Sequence, residues 1–128
     1  MIVAIGLDFI ALPRFSALYS LNDRDLLERV FTQNELQIAG SGRDAAERLA
    51  ARFAAKEAVL KVIGGLRDGI ALTDIEIATT DAGACEANLR HGALEQATKL
   101  HIAKWHLSLT HSDEYAGAVA IGMSEAGE

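Results

Sequence analysis

The spacing of apolar positions changes character along the chain. Residues 2–7 form a continuous apolar run that Asp8 ends, the pattern of a short buried strand. Residues 13–20 and 22–30 read as two short helices. Pro13 stands near the start of the first, where its fixed φ and missing donor do little harm, and Asn22 is the expected N-cap of the second. Thr32-Gln-Asn-Glu35 has capping-box spacing and opens a further short helix, which Gly40-Ser-Gly42 closes. Residues 43–63 hold almost only strong helix formers, a span about 30 Å long that Gly64-Gly65 stops. The period then falls to two. Asp74-Ile-Glu-Ile77 alternates, 86–90 reads as a second strand, and 91–100 as a helix. Trp105, Leu107 and Leu109 alternate with His106, Ser108 and Thr110. His111-Ser-Asp-Glu114 is a turn, and 115–123 is a last strand of mostly small residues. Helices first and antiparallel strands later, with one N-terminal strand, predict an α+β fold in which an antiparallel sheet packs against one long helix and several short ones.

Composition narrows the picture. At 128 residues, 50% hydrophobic and 23% charged, with no repeat or linker, the chain reads as a single domain, 1–128. A net charge of -6 and an aromatic content of 5% argue against nucleic-acid binding, which needs a basic footprint or a stacking platform. No run reaches the roughly 18 apolar residues of a membrane helix, and the N-terminal segment lacks a basic n-region, so it reads as a strand and not a signal peptide. A single cysteine, Cys85, excludes an intrachain disulfide and fits a cytoplasmic location.

Several side chains could carry chemistry. Taking Phe53 as the centre of the buried face of the long helix puts Leu49, Leu60 and Ala46 within about 40° of it. Glu57 falls in the same sector, Lys61 about 80° away on the same side, and Arg52 and Lys56 on the other flank, counting about 100° per residue. A carboxylate against an apolar stripe needs a partner or a metal. The plain alternative is an i,i+4 pair of Glu57 with Lys61, worth about 0.3 kcal/mol. Asp8 ends an apolar strand, where it either caps a turn or serves a site. Two carboxylates from separate elements, with a lysine nearby, suit Mg²⁺ holding phosphate oxygens. His111 is either a turn histidine or a site residue. Ser108, His111 and Asp113 form a weak hydrolase pattern without a nucleophile elbow. His91, His101 and His106 lack metal spacing, and Cys85 has no flanking base.

Three motifs sharpen this. Leu49-Ala-Ala-Arg-Phe-Ala-Ala-Lys-Glu-Ala58 is followed by Lys61, with Ile5-Gly-Leu-Asp8 before it and Ser108-Leu-Thr-His-Ser-Asp-Glu-Tyr-Ala116 after it. Together with Glu28-Arg-Val-Phe-Thr-Gln-Asn-Glu-Leu36, they closely resemble the holo-[acyl-carrier-protein] synthases, the short bacterial 4′-phosphopantetheinyl transferases, over essentially the whole chain. The resemblance implies the α+β fold of that family. It implies transfer of the 4′-phosphopantetheine arm of coenzyme A to a serine of an apo acyl carrier protein, with adenosine 3′,5′-bisphosphate as the other product. It further implies Mg²⁺ on Asp8 and Glu57, and a homotrimer with each active site at a subunit interface. On that footing Glu57, Lys61 and His111 are the expected catalytic residues. Lys61, His111 and Arg52 are the expected contacts to coenzyme A, and Arg14, Phe15 and Leu18 the expected carrier-docking residues.

The sequence departs from the family pattern in places. Between Ala11 and Asn22 only Arg14 is basic, where relatives carry several cations, and Asp23, Asp25 and Glu28 oppose Arg24 and Arg29. Gly64-Gly-Leu66 replaces the common Gly-Thr-Gly, Leu72 an aromatic, and Gly83-Ala-Cys-Glu86 lacks a usual proline. These departures leave the metal ligands alone and bear on the partner. Two further readings remain: a paralogue modifying a specialised carrier, and a non-catalytic carrier-binding trimer.

Overall fold

Asp8 does not end the first strand. In the computed structural model, which describes residues 1–125, strand β1 runs Ile2–Ala11 and carries Asp8 in its middle. Helices α1 (Leu12–Leu18), α2 (Arg24–Glu28) and α3 (Gln33–Ala39) follow, then the long α4 (Ala45–Val62). The second half holds β2 (Ile75–Thr79), β3 (Cys85–Leu89), α5 (His91–Lys99), β4 (Lys104–His111) and β5 (Tyr115–Met123). This is the expected α+β arrangement, with boundaries shifted by a few residues. Asp23 and not Asn22 caps α2, accepting from Leu26 N at 3.1 Å. The Thr32–Glu35 capping box forms as expected.

The strands make an antiparallel sheet of order β1-β5-β4 and a separate β2-β3 hairpin. The first strand therefore pairs with the last, with Asp8 opposite Ala118 and Leu109 opposite Ala118 from the other side. Alternation sorts the sheet into two faces. Ala4, Gly6, Asp8 and Ile10 of β1 share the inner face with Ala116, Ala118, Ala120 and Gly122 of β5 and with Trp105, Leu107 and Leu109 of β4. The outer face is open, with Ile5, Leu7 and Phe9 each more than 60% exposed. The strand expected to be buried is thus buried on one side only.

Helix α4 lies on the inner face. The small residues of β5 let it approach closely, and Gly6 is the tightest point: a side-chain carbon there would run into the carbonyl of Ala58. At Gly122 the same atom would sit 2.8 Å from Val62 Cγ1. Because α1, α3 and β2 cover its remaining sides, α4 is buried nearly all round, through Leu49, Ala50, Ala54, Ala55, Ala58, Val59 and Val62 among others. This reverses the expected orientation. Phe53 is not the centre of the buried face; Phe53, Glu57 and Lys61 form the stripe that α4 leaves least covered.

A polar cluster ties α4 to α3 and β2. Lys56 and Glu35, both fully buried, pair at 2.8 Å. Lys56 also donates to the carbonyls of Leu72, at 3.0 Å, and Ile75. Glu35 accepts from Thr32 N and Ile77 N, each at 2.8 Å. Every polar atom of the pair is thereby engaged, the condition under which buried charge is tolerated.

Candidate active site

The close approach at Gly6 sets up the site. Two residues on along β1, Asp8 faces the same side, toward the flank of α4 that carries Glu57 and Lys61. Lys61 does not pair along its own helix with Glu57. It reaches across to β1, donating to Leu7 O at 2.7 Å and to Asp8 Oδ1 at 3.2 Å. A groove of about 480 Å³ opens beside them, lined by Asp8, Phe9, Arg14, Leu18, Phe53, Glu57 and Tyr115. Burial raises the proton affinity of Glu57 above the usual carboxylate range, the charge of Asp8 adds to the effect, and Lys61 opposes it. The Tyr19 phenol is raised too, first by burial and then by Glu57.

Two carboxylates that line one groove, with an ammonium paired to one of them, are a donor set for a divalent cation. Among the described residues no cluster of three histidine, cysteine or acidic side chains could enclose a metal. The pair of carboxylates fits Mg²⁺, which is held by one or two carboxylates and completes its shell with phosphate oxygens and water. It does not suit a closed structural site.

His111 stands apart. It ends β4, opposite Ala116, in a second groove of about 350 Å³ lined also by Phe9, Ser112 and Tyr115. Its Nδ1 lies 3.4 Å from Glu47 Oε2, from the first turn of α4. Phe9 and Tyr115, packed edge to face at 5.9 Å, line both grooves and divide them. Ser108 lies an odd number of positions before His111 on β4, so the two face opposite sides of the sheet and the hydrolase pattern does not assemble.

The remaining expected residues scatter. Arg52 is not in the groove of Asp8 and Glu57: it is buried against β2, donates to Thr79 Oγ1 at 2.9 Å, and its Nε has no hydrogen-bond partner. Phe15 cannot meet a carrier, because it is fully buried against Tyr19, Phe31 and Phe53. Arg14 and Leu18 are exposed and line the groove. Sequence reasoning missed Gly6 and Glu47. The glycine carried a signal, a side-chain-free position inside an apolar strand, which marks close backbone approach. Glu47 carried none.

Comparison with known proteins agrees with the fold. The model of the 4′-phosphopantetheinyl transferase superfamily matches residues 4–120. The holo-[acyl-carrier-protein] synthase of Geobacter sulfurreducens is 36% identical over 122 residues, covering 94% of this chain and 97% of that protein. Among solved structures, the holo-[acyl-carrier-protein] synthase of Neisseria meningitidis superposes with a TM-score of 0.84 at 28% identity, covering 97% of this chain and all of that one. The Bacillus anthracis synthase, solved in complex with coenzyme A (3′,5′-ADP), gives a TM-score of 0.79 at 33% identity, covering 98% and 99%. The chain belongs to the 4′-phosphopantetheinyl transferase superfamily.

Proposed function

We propose that this chain, acting as a single domain, is a holo-[acyl-carrier-protein] synthase whose chemistry is carried by Asp8, Glu57 and Lys61. It transfers the 4′-phosphopantetheine arm of coenzyme A to a serine of an apo acyl carrier protein and serves fatty acid synthesis. The observation that carries the residue assignment is the opposition of Asp8 and Glu57 across one groove, with Lys61 bridging helix and strand.

The reaction forms a bond from the serine oxygen to the β-phosphorus and breaks the pyrophosphate bridge. The electron pair leaves on the 5′-phosphate of adenosine 3′,5′-bisphosphate. Mg²⁺ held by Asp8 and Glu57, when bound, supplies positive charge to the pyrophosphate oxygens. Lys61 adds a fixed cation beside the same groove, already oriented by Leu7 O and Asp8. Glu57, or a water held by the two carboxylates, takes the serine proton. His111 holds a phosphate oxygen of coenzyme A. Arg14 and Leu18, beside the carboxylates on α1, meet the carrier.

The assembly we propose is a homotrimer with shared active sites, working in the cytoplasm. Two features support it. The outer sheet face exposes Ile5, Leu7 and Phe9 at alternate positions of one strand, and a row of exposed apolar side chains suits an interface. The site residues also fall into two groups on either side of Phe9 and Tyr115, so a neighbouring copy packed there can bring its His111 to the carboxylates of the first. No described helix is long and apolar enough to cross a membrane.

The test is intact-mass spectrometry of apo acyl carrier protein incubated with the chain, coenzyme A and Mg²⁺. A gain of one phosphopantetheine group, lost on chelation, is expected. No gain on any carrier from the same cell would overturn the reading in favour of a non-catalytic trimer. A gain confined to another carrier would favour the specialised paralogue, the reading to which the sparse basic surface of α1 points.

A further inference from the structure

We infer that Glu47 is a positioning residue, which accepts from Nδ1–H of His111 and so turns Nε2 of that imidazole toward the coenzyme A phosphate. The inference rests on the proposed role of His111. Glu47 Oε2 and His111 Nδ1 stand 3.4 Å apart, a separation that ligand binding can tighten. The two side chains come from the first turn of α4 and the last residue of β4, elements far apart in sequence. Among the described residues Glu47 forms an ion pair with His111 alone. Asp44 and Arg48 face each other at 3.9 Å, and Arg48 also donates to the carbonyl of Ala39 at 3.1 Å. The imidazole is about half exposed and borders the groove of about 350 Å³, so its second nitrogen has room for a ligand.

A neutral imidazole carries one N–H, and the partner of one nitrogen decides which nitrogen carries it. A carboxylate only accepts, so Glu47 selects Nδ1–H. Nε2 then faces the ligand: in the neutral ring it only accepts, and it donates to a phosphate oxygen when the ring carries a second proton, with Nδ1–H still held by Glu47. Free imidazole in water favours the opposite neutral tautomer, so Glu47 works against the default. The carboxylates that orient metal-bound and catalytic histidines act in the same way. A different role for Glu47 is open to test: an acid in the first turn also favours the helix through its dipole. That role would act on stability and be indifferent to His111.

The experiment is ¹⁵N NMR of the His111 ring in the full chain at about pH 9, above the ordinary imidazole range. It is read beside KM and kcat for coenzyme A in the mass-spectrometric transfer assay. The wild-type ring should hold its proton on Nδ1, and Glu47→Ala should move it toward Nε2. The same substitution should raise KM for coenzyme A about tenfold, with a smaller change in kcat. In a His111→Ala background it should change KM less than about twofold. Glu47→Gln, whose amide donates as well as accepts, should weaken the Nδ1–H preference and raise KM for coenzyme A, and it serves if Glu47→Ala fails to fold. An Nε2–H ring in the wild type, or an equal loss of transfer with and without His111, would overturn the inference. Absence of transfer by the wild type would instead overturn the proposed function, while the tautomer comparison would still decide what Glu47 holds.

Discussion

Helix α4 carries two lysines five residues apart, and each meets a carboxylate from another element. Lys56 and Glu35 are sealed inside, 2.8 Å apart, with no exposed side-chain surface. Lys61 and Asp8 lie 3.2 Å apart at the edge of a groove, with the lysine side chain 54% exposed. The sealed pair is complete: backbone carbonyls and amides take up its remaining donors and acceptors. Burial pulls the proton affinity of Lys56 below the usual lysine range, and the charge of Glu35 opposes that shift. The open pair is incomplete, because Glu57 adds a second carboxylate beside the single ammonium that Asp8 already holds. One pair has nothing left to offer a ligand and holds the fold. The other keeps unmet charge, which is what a site for a cation and phosphates requires.

Breaking the sealed pair should have the largest effect. Glu35→Ala or Lys56→Met leaves an uncompensated buried charge, at a cost of about 3–5 kcal/mol, read from the urea midpoint at unchanged slope. Replacing both, Glu35→Leu with Lys56→Met, should recover most of that loss. A single-substitution cost near zero would erase the distinction between the two pairs. The open pair should answer in the other direction. Lys61→Met should change stability by less than about 1 kcal/mol while lowering transfer about 10²- to 10³-fold. Asp8→Ala and Glu57→Ala should likewise abolish transfer with the fold intact, and near-wild-type activity in both would remove the metal assignment. Gly6→Ala comes next. The clash with Ala58 should cost about 1–3 kcal/mol, and because it pushes α4 off β1 beside Asp8, transfer should fall further than stability explains.

The same contrast explains what was legible in the sequence. The capping box at Thr32, the break at Gly64-Gly65 and the alternation around Trp105 are local signals, and each element appeared near its expected place. The orientation of α4 was not local. With alanines at most positions, its pattern defines no single apolar stripe, and the covering by β5, β2, α1 and α3 decides which face stays open. For that reason Phe53 was expected inside and lines the groove, while Phe15, expected at a docking surface, lies in the core. Asp8, Glu57 and Lys61 came together as their motifs implied. His111 did not join them within the chain. A strand periodicity places it on the inner face but cannot place it beyond Phe9 and Tyr115 from Asp8, and the Glu47 partner depends on where α4 begins.

The smallest expected effect sharpens the comparison at the rim of the groove. Arg14 is the one cation between residues 11 and 22, is exposed, and borders the same groove as Asp8 and Glu57. The nearest other cation along the chain, Arg24, is already paired with Glu28 at 3.1 Å. An exposed charge contributes little to its own fold, but it contributes to encounter with an acidic partner through a field that salt screens over roughly 10 Å at 0.1 M. Arg14→Ala should therefore leave stability unchanged and slow carrier modification by about threefold at low salt, a difference that shrinks as salt is raised. The measurement is kcat/KM for the carrier across a salt series. An unchanged rate at low salt would take docking away from α1 and leave apolar contact at Leu18 without an electrostatic guide.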